Sequence, residues 1–307
     1  MGKTALVLSG GGAKGAFQAG AERYAREVKG YRWDIIAGVS VGALNGGMLA
    51  MEKYPELWAL WSTISNEKVY TGRTKLWYAV LRVLLGKRSI LGNGPLRGLI
   101  EREFDPALVK ADLRIGAVSL RTGKYVVFRP GDAHFREAVL ASTAIPVYWP
   151  PEEVPPHGPM VDGGVRNVTP LGDVLDDEPD EVVIINCNRK EPPVLERPPG
   201  NIFDIGLRSL DIAVNEIFTG DVEEFVRINR NVQEAASHGV TLHDEEGKPH
   251  KYFEYKLIEP REALGEMVDF SQATARRSMR AGWEAAEAVL GAPASGPVAL
   301  PGWAGGS

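Results

Sequence analysis

The first fifty residues alternate between short apolar runs and amphipathic stretches. "TALVLS" reads as a buried strand, Lys14 to Val28 carries a helical repeat, "DIIAGVS" is a second buried run, and another helix begins near Val41. Strands buried on both faces and joined by crossover helices imply an α/β fold around a mainly parallel sheet. Farther on, "DLRIGAVSL" and "KYVVFRP" suit a hairpin about "RTGK", while "GPMVDGG", "EVVIIN" and "KYFEYKLI" supply three more strands. Helical spacing covers Pro95 to Glu103, His134 to Ala141, Ile202 to about Ala236, and Ser271 to Leu290. The Pro-rich stretches Pro150 to Pro159 and Pro192 to Pro199 read as surface loops, because strand patterning resumes soon after the first. One domain over residues 1–291 is expected, with the small, aperiodic stretch 292–307 as a flexible tail.

Composition narrows the function. A net charge of −5 argues against a nucleic-acid partner, which needs a basic face to displace phosphate counterions. The one cysteine, Cys187, sits in the apolar run "EVVIINC" and reads as a small buried hydrophobe, so no intramolecular disulfide is expected. A core strand almost at the initiator Met leaves no room for a signal peptide, and no apolar run reaches spanning length. Leu6 occupies the position where a myristoylation signal wants Ser or Thr, so a cytoplasmic location is expected. Local charge differs from the whole: Lys68 to Ile100 holds seven Lys or Arg and no acidic residue. Its middle, Leu76 to Leu85, is apolar and carries Trp77 and Tyr78. Two readings fit it: a core helix with solvated basic ends, or a cover beside the site that docks peripherally on anionic lipid.

The densest chemistry lies in "SGGGAKGAF", where Gly10, Gly12 and Gly15 have the spacing of a dinucleotide loop. That reading requires an acidic residue at the end of the second strand. Asp34 begins that strand instead, and its end is Gly38-Val39-Ser40. A phosphate-binding P-loop fails too, because "GGGAKG" lacks the closing G-K-[ST]. An oxyanion loop remains, with the N–H groups of Gly11 and Gly12 aimed at an acyl oxygen. Lys14 either adds positive charge there or is an exposed side chain on the first helical turn. Ser40 lies between Gly38 and Gly42, after a strand and before a helix, which is the setting of a nucleophile elbow.

A serine nucleophile needs a base, yet His134, His157, His238, His243 and His250 all read as surface or loop residues. Asp162 ends an apolar run with Gly163 and Gly164 behind it, at the carboxyl edge where open α/β sheets place their sites. It is either a desolvated carboxylate base or a turn-forming Asp.

Taken together, "GGGAKG", "GVSVG" and "DGG" in this order resemble the patatin-like phospholipases, with similar flanking text in "ASTAIPVYWPP", "NGPLRGLIE" and "VNEIFTGDVEEFVRINR". The resemblance runs from about Thr4 to Asn188 and weakens toward Leu290. It implies a three-layer α/β/α fold and a lipid acyl hydrolase with a Ser–Asp dyad and no histidine. Ser40 would be the nucleophile, Asp162 the base, and Gly10, Gly11, Gly12, Lys14 and Gly15 the oxyanion loop. The second glycine after Asp162 resembles the bacterial members, where plant members usually have alanine. Lipid esters are the implied substrates, and no metal or organic cofactor is expected. Two alternatives stay open: an ordinary α/β-hydrolase with a triad through His157 or His238, or a nucleotide-binding module in which Ser40 is inert.

Overall fold

The computed structural model describes residues 2–292 other than 74, 192, 193, 196 and 245; the expected tail lies, from residue 293 on, outside them. Among the described residues eight strands form one sheet: β1 (Thr4–Leu8), β2 (Ile35–Val39), β3 (Asp112–Ser119), β4 (Tyr125–Phe128), β5 (Glu152–Val154), β6 (Gly158–Asp162), β7 (Glu181–Ile185) and β8 (Glu254–Ile258). They run in the order β5-β6-β3-β2-β1-β7-β8, with β4 paired to β3. The pairs from β3 to β8 along this path are parallel, whereas β4, β5 and β6 run antiparallel to their neighbours.

The expected "DIIAGVS" and "TALVLS" strands form its centre, and they are apolar throughout because both faces are covered. Leu6, Leu8 and Ile36 face one core, and Ala5, Val7, Ile35 and Ala37 face the other. The first core is built by α1 (Ala16–Lys29), α2 (Val41–Ala50), α3 (Tyr54–Thr63) and helices farther along the chain, among them Gln272–Leu290. The second is closed by Phe225 and Val226 of the long helix Ile202–Ser237 and by the Leu171–Leu175 segment. This is the three-layer α/β/α arrangement. The Pro150 to Pro159 stretch differs from its expectation, because it holds the edge strand β5, paired to β6 through Glu152 and Val154. Prolines are tolerated at a sheet edge, where few ladder bonds are required, and the alternation of Glu152 and Val154 against Glu153 was too short to register as a strand.

The topology around β3 decides where chemistry can occur. Ile115 and Gly116 pair with both β2 and β4, and Ala117 and Val118 pair with both β4 and β6. A strand has two edges, so β2 and β6 share one edge of β3, end to end. Val39 is opposite Gly116 and Asp162 is opposite the next residue, Ala117. The last residue of β6 is thereby placed where β2 ends and Ser40 begins.

Candidate active site

Ser40 caps α2 with φ 59° and ψ −128°, a conformation that non-glycine residues rarely adopt. The flanking glycines are required by contact. A Cβ on Gly38 would lie 2.2 Å from the Gly42 carbonyl oxygen, and one on Gly42 would lie 2.2 Å from that of Leu8. The Ser40 N–H donates to Ser142 Oγ at 3.0 Å, and Ser142 Oγ donates to the Gly116 carbonyl at 2.7 Å. Two residues on, the Ala144 carbonyl accepts the Asp162 N–H at 3.0 Å. One short strip, Ser142 to Ala144, therefore holds both the elbow and the acidic turn.

Asp162 is buried, and its Oδ1 accepts the Gly164 N–H at 2.8 Å. Burial pushes its pKa up to about 7, against a smaller lowering from the Ser40 hydroxyl and the Gly164 amide. Its Oδ2 has no partner at full hydrogen-bond geometry among the described residues. The Ser40 hydroxyl is thus close enough to the carboxyl to lower its pKa without completing a full hydrogen bond among the described residues.

Parallel pairing of β1 with β2 sets the glycine loop beside the elbow, with the position of a Gly10 Cβ only 3.3 Å from Ser40 Cβ. The Gly10 N–H donates to the Val168 carbonyl at 3.0 Å, so within the expected oxyanion loop Gly10 supplies close approach and no free amide. The Gly11 and Gly12 N–H groups have no partner among the described residues. Gly12 has φ 58°, and a Cβ there would lie 2.3 Å from the Met267 carbonyl oxygen. Gly15 packs against Val41, whose Cγ2 would be 2.2 Å from a Cβ. Gly163 passes close to the Gly116 carbonyl, and Gly164 donates to Asp162.

Lys14 is half-buried and donates to Asn188 Oδ1 at 3.1 Å, and burial lowers its pKa. Asn188 Nδ2 in turn donates to the Gly10 carbonyl at 3.0 Å, and Ser9 Oγ accepts the Cys187 N–H at 3.0 Å. Asp221 Oδ2 accepts the Val168 and Thr169 N–H groups at 2.9 and 3.1 Å, tying the long helix to the strip on which Gly10 hangs. Sequence reasoning did not single out Ser142, Asn188 or Asp221. Asn188 follows β7 at the same carboxyl edge, a signal that could have found it. Cys187 is buried behind Gly11, and burial pushes its thiol up to about 12.

Ser40, Asp162, Gly10, Gly11 and Lys14 line one cavity of about 670 Å³, and no histidine is among its described lining residues. His157 lies against the Phe128 ring at 5.5 Å, and His134 is 3.9 Å from Glu137.

A strand-to-helix serine and a buried carboxylate thus meet at the carboxyl edge of the mostly parallel sheet of an α/β protein. Residues 6–175, more than half of the chain, match the patatin-like phospholipase family, and the chain belongs to it. A patatin-like phospholipase domain-containing protein of Caenorhabditis elegans is 30% identical over 172 residues, covering 54% of this chain and 12% of that protein. The chain thus spans about an eighth of that relative's length. The crystal structure of VipD from Legionella pneumophila superposes with a TM-score of 0.51 at 15% identity, covering 94% of this chain and 66% of that one. That likeness is one of fold.

Proposed function

We propose that the protein is a serine lipid acyl hydrolase working through a Ser40–Asp162 dyad. The observation that carries this reading is the pairing of an elbow serine with a buried carboxylate raised to about 7. An ordinary carboxylate is too weak a base for a hydroxyl, and one titrating near neutrality is better matched. Asp162 takes the Ser40 proton as Oγ attacks the ester carbonyl, and the Gly11 and Gly12 amides hold the oxyanion. Asp162 then returns the proton to the departing alcohol. In the second half it takes a proton from water, which attacks the acyl-serine; the acyl–Oγ bond then breaks, Asp162 returns the proton to Ser40 Oγ, and the acid leaves. Family membership supports a lipid ester as substrate.

A fluorophosphonate probe, which labels only activated serines, tests the reading. Stoichiometric labelling of the wild type that vanishes in Ser40→Ala is the expected result. An unlabelled wild type would return the glycine loop to a binding role with Ser40 inert.

A peripheral membrane role rests on the basic segment. On the helix Leu76–Leu84, Ala79 is buried but Trp77 is 58%, Val83 58% and Leu84 78% exposed. Exposed Arg73, Lys75, Lys87 and Arg88 flank them, a combination suited to an anionic lipid interface. The exposure favours the interfacial reading over the core helix. Arg82 is set apart, since it donates to the Ser89 carbonyl. No helix among the described residues is long and apolar enough to cross a membrane. Wild-type protein should co-sediment with vesicles containing phosphatidylglycerol, and changing Arg73, Lys75, Lys87 and Arg88 to Gln should remove most of that binding. Equal co-sedimentation of the folded quadruple variant would exclude the basic segment as the docking surface.

A further inference from the structure

Ser40 stands at the junction of two spaces. The wide cavity carries Lys14, Arg189, Arg208 and Glu266 together with apolar walls, so it is amphipathic. The second is a narrow slot of about 40 Å³ that Ser40 and Gly12 also line, walled by Leu44, Leu60, Leu96, Leu99 and Phe270. The side chains of Asn45, Trp61 and Thr143 in its wall bond to one another or to protein groups behind it, and Trp149 Nε1 lacks a partner among the described residues. A hydrocarbon chain entering the slot would break none of those bonds.

Gly11 lines the wide cavity and Gly12 lines the slot, so the two free amides of the glycine loop straddle the junction. Because Ser40 lines both spaces, an ester attacked there can send one substituent into each. The substituent without polar atoms belongs in the slot. The amphipathic remainder, the alcohol part of a lipid, belongs in the wide cavity.

Leu60 of α3 and Leu99 of the helix Gly94–Glu103 line both the slot and a separate groove of about 440 Å³, which Met48, Glu56, Lys68 and Arg102 also line. Two leucine side chains therefore form the partition that the slot and the groove share. We propose that the slot holds the scissile acyl chain and that Leu60 and Leu99 set its length. A slot of about 40 Å³ beside a cavity of about 670 Å³ suits a short acyl chain, on the order of four carbons. The proposal rests on the reading of Ser40 as nucleophile and narrows the substrate class to short-chain acyl esters.

The test is a series of p-nitrophenyl esters from two to twelve acyl carbons, below their aggregation limits, with wild type, Leu99→Ala and Leu60→Ala. Wild-type kcat/KM should peak near four carbons. Each methylene given a dry site contributes about fourfold, so opening the partition should raise the ratio of eight-carbon to four-carbon kcat/KM by tenfold or more. A wild-type optimum at eight carbons or beyond overturns the proposal, as does a ratio within twofold of wild type in the folded variants. Leu99→Val, a milder change expected to move the ratio in the same direction, decides the matter if the alanine variants do not fold. Fluorophosphonate labelling separates the two readings: an acyl profile that fails while Ser40 is labelled rejects the slot alone, and an unlabelled Ser40 rejects both.

Discussion

Replacing Ser40 with alanine should lower hydrolysis of a soluble ester by about 10³-fold or more, because Ser40 is the one Ser or Thr among the described residues lining the cavity that holds Asp162. The thermal transition should move by only a few degrees. Alanine keeps the backbone φ of 59° and loses only a small polar group from a buried site. Ser40→Gly gives a sharper result. Holding a non-glycine residue in this conformation costs about 1–3 kcal/mol, so glycine should be as inactive as alanine and melt at a higher temperature. Residual activity above a tenth of wild type in either variant would remove Ser40 as the nucleophile.

Asp162→Asn should be nearly as damaging, since the amide keeps the shape and the bond from Gly164 but accepts no proton. In the wild type, kcat/KM should fall about tenfold per pH unit below about 7, because only the ionised carboxylate works as a base. The stability effect has the opposite sign. The folded pKa is raised from the usual carboxylate range to about 7, so between about 4 and 7 the unfolded chain binds fewer protons than the folded one. Stability therefore falls as pH rises through that window. The penalty levels off above 7 at a ceiling on the order of 4 kcal/mol, which relaxation of the site reduces. Asp162→Asn should accordingly raise the melting temperature at pH 8 and change it little at pH 4. A pH-independent rate between 5 and 8 in the wild type, or full activity in Asp162→Asn, would dismiss the dyad and return the search to a histidine.

Periodicity and residue chemistry carried much of this protein. Seven of the eight strands among the described residues were legible, the parallel ones as largely apolar runs and β4 and β6 as shorter apolar runs beside glycine turns; β5 was not, since three edge residues among prolines make no pattern. Ser40 between two glycines and Asp162 before two others were legible for the same kind of local reason: each turn needs glycine where backbones touch. What residue order could not decide is whether the two turns meet. They are 122 positions apart (162 minus 40), and only the way β2 and β6 follow one another along a single edge of β3 brings them together. Tertiary packing alone also assigned Ser142, Asn188 and Asp221 to holding the loops, occupied the Gly10 amide, left Trp77, Val83 and Leu84 exposed, and placed Leu60 and Leu99 in the wall of a slot. Burial, hydrogen-bond partnership and the volume of a cavity belong to the sum of neighbours around a residue. Those neighbours come from distant parts of the chain, so the local sequence holds no record of them.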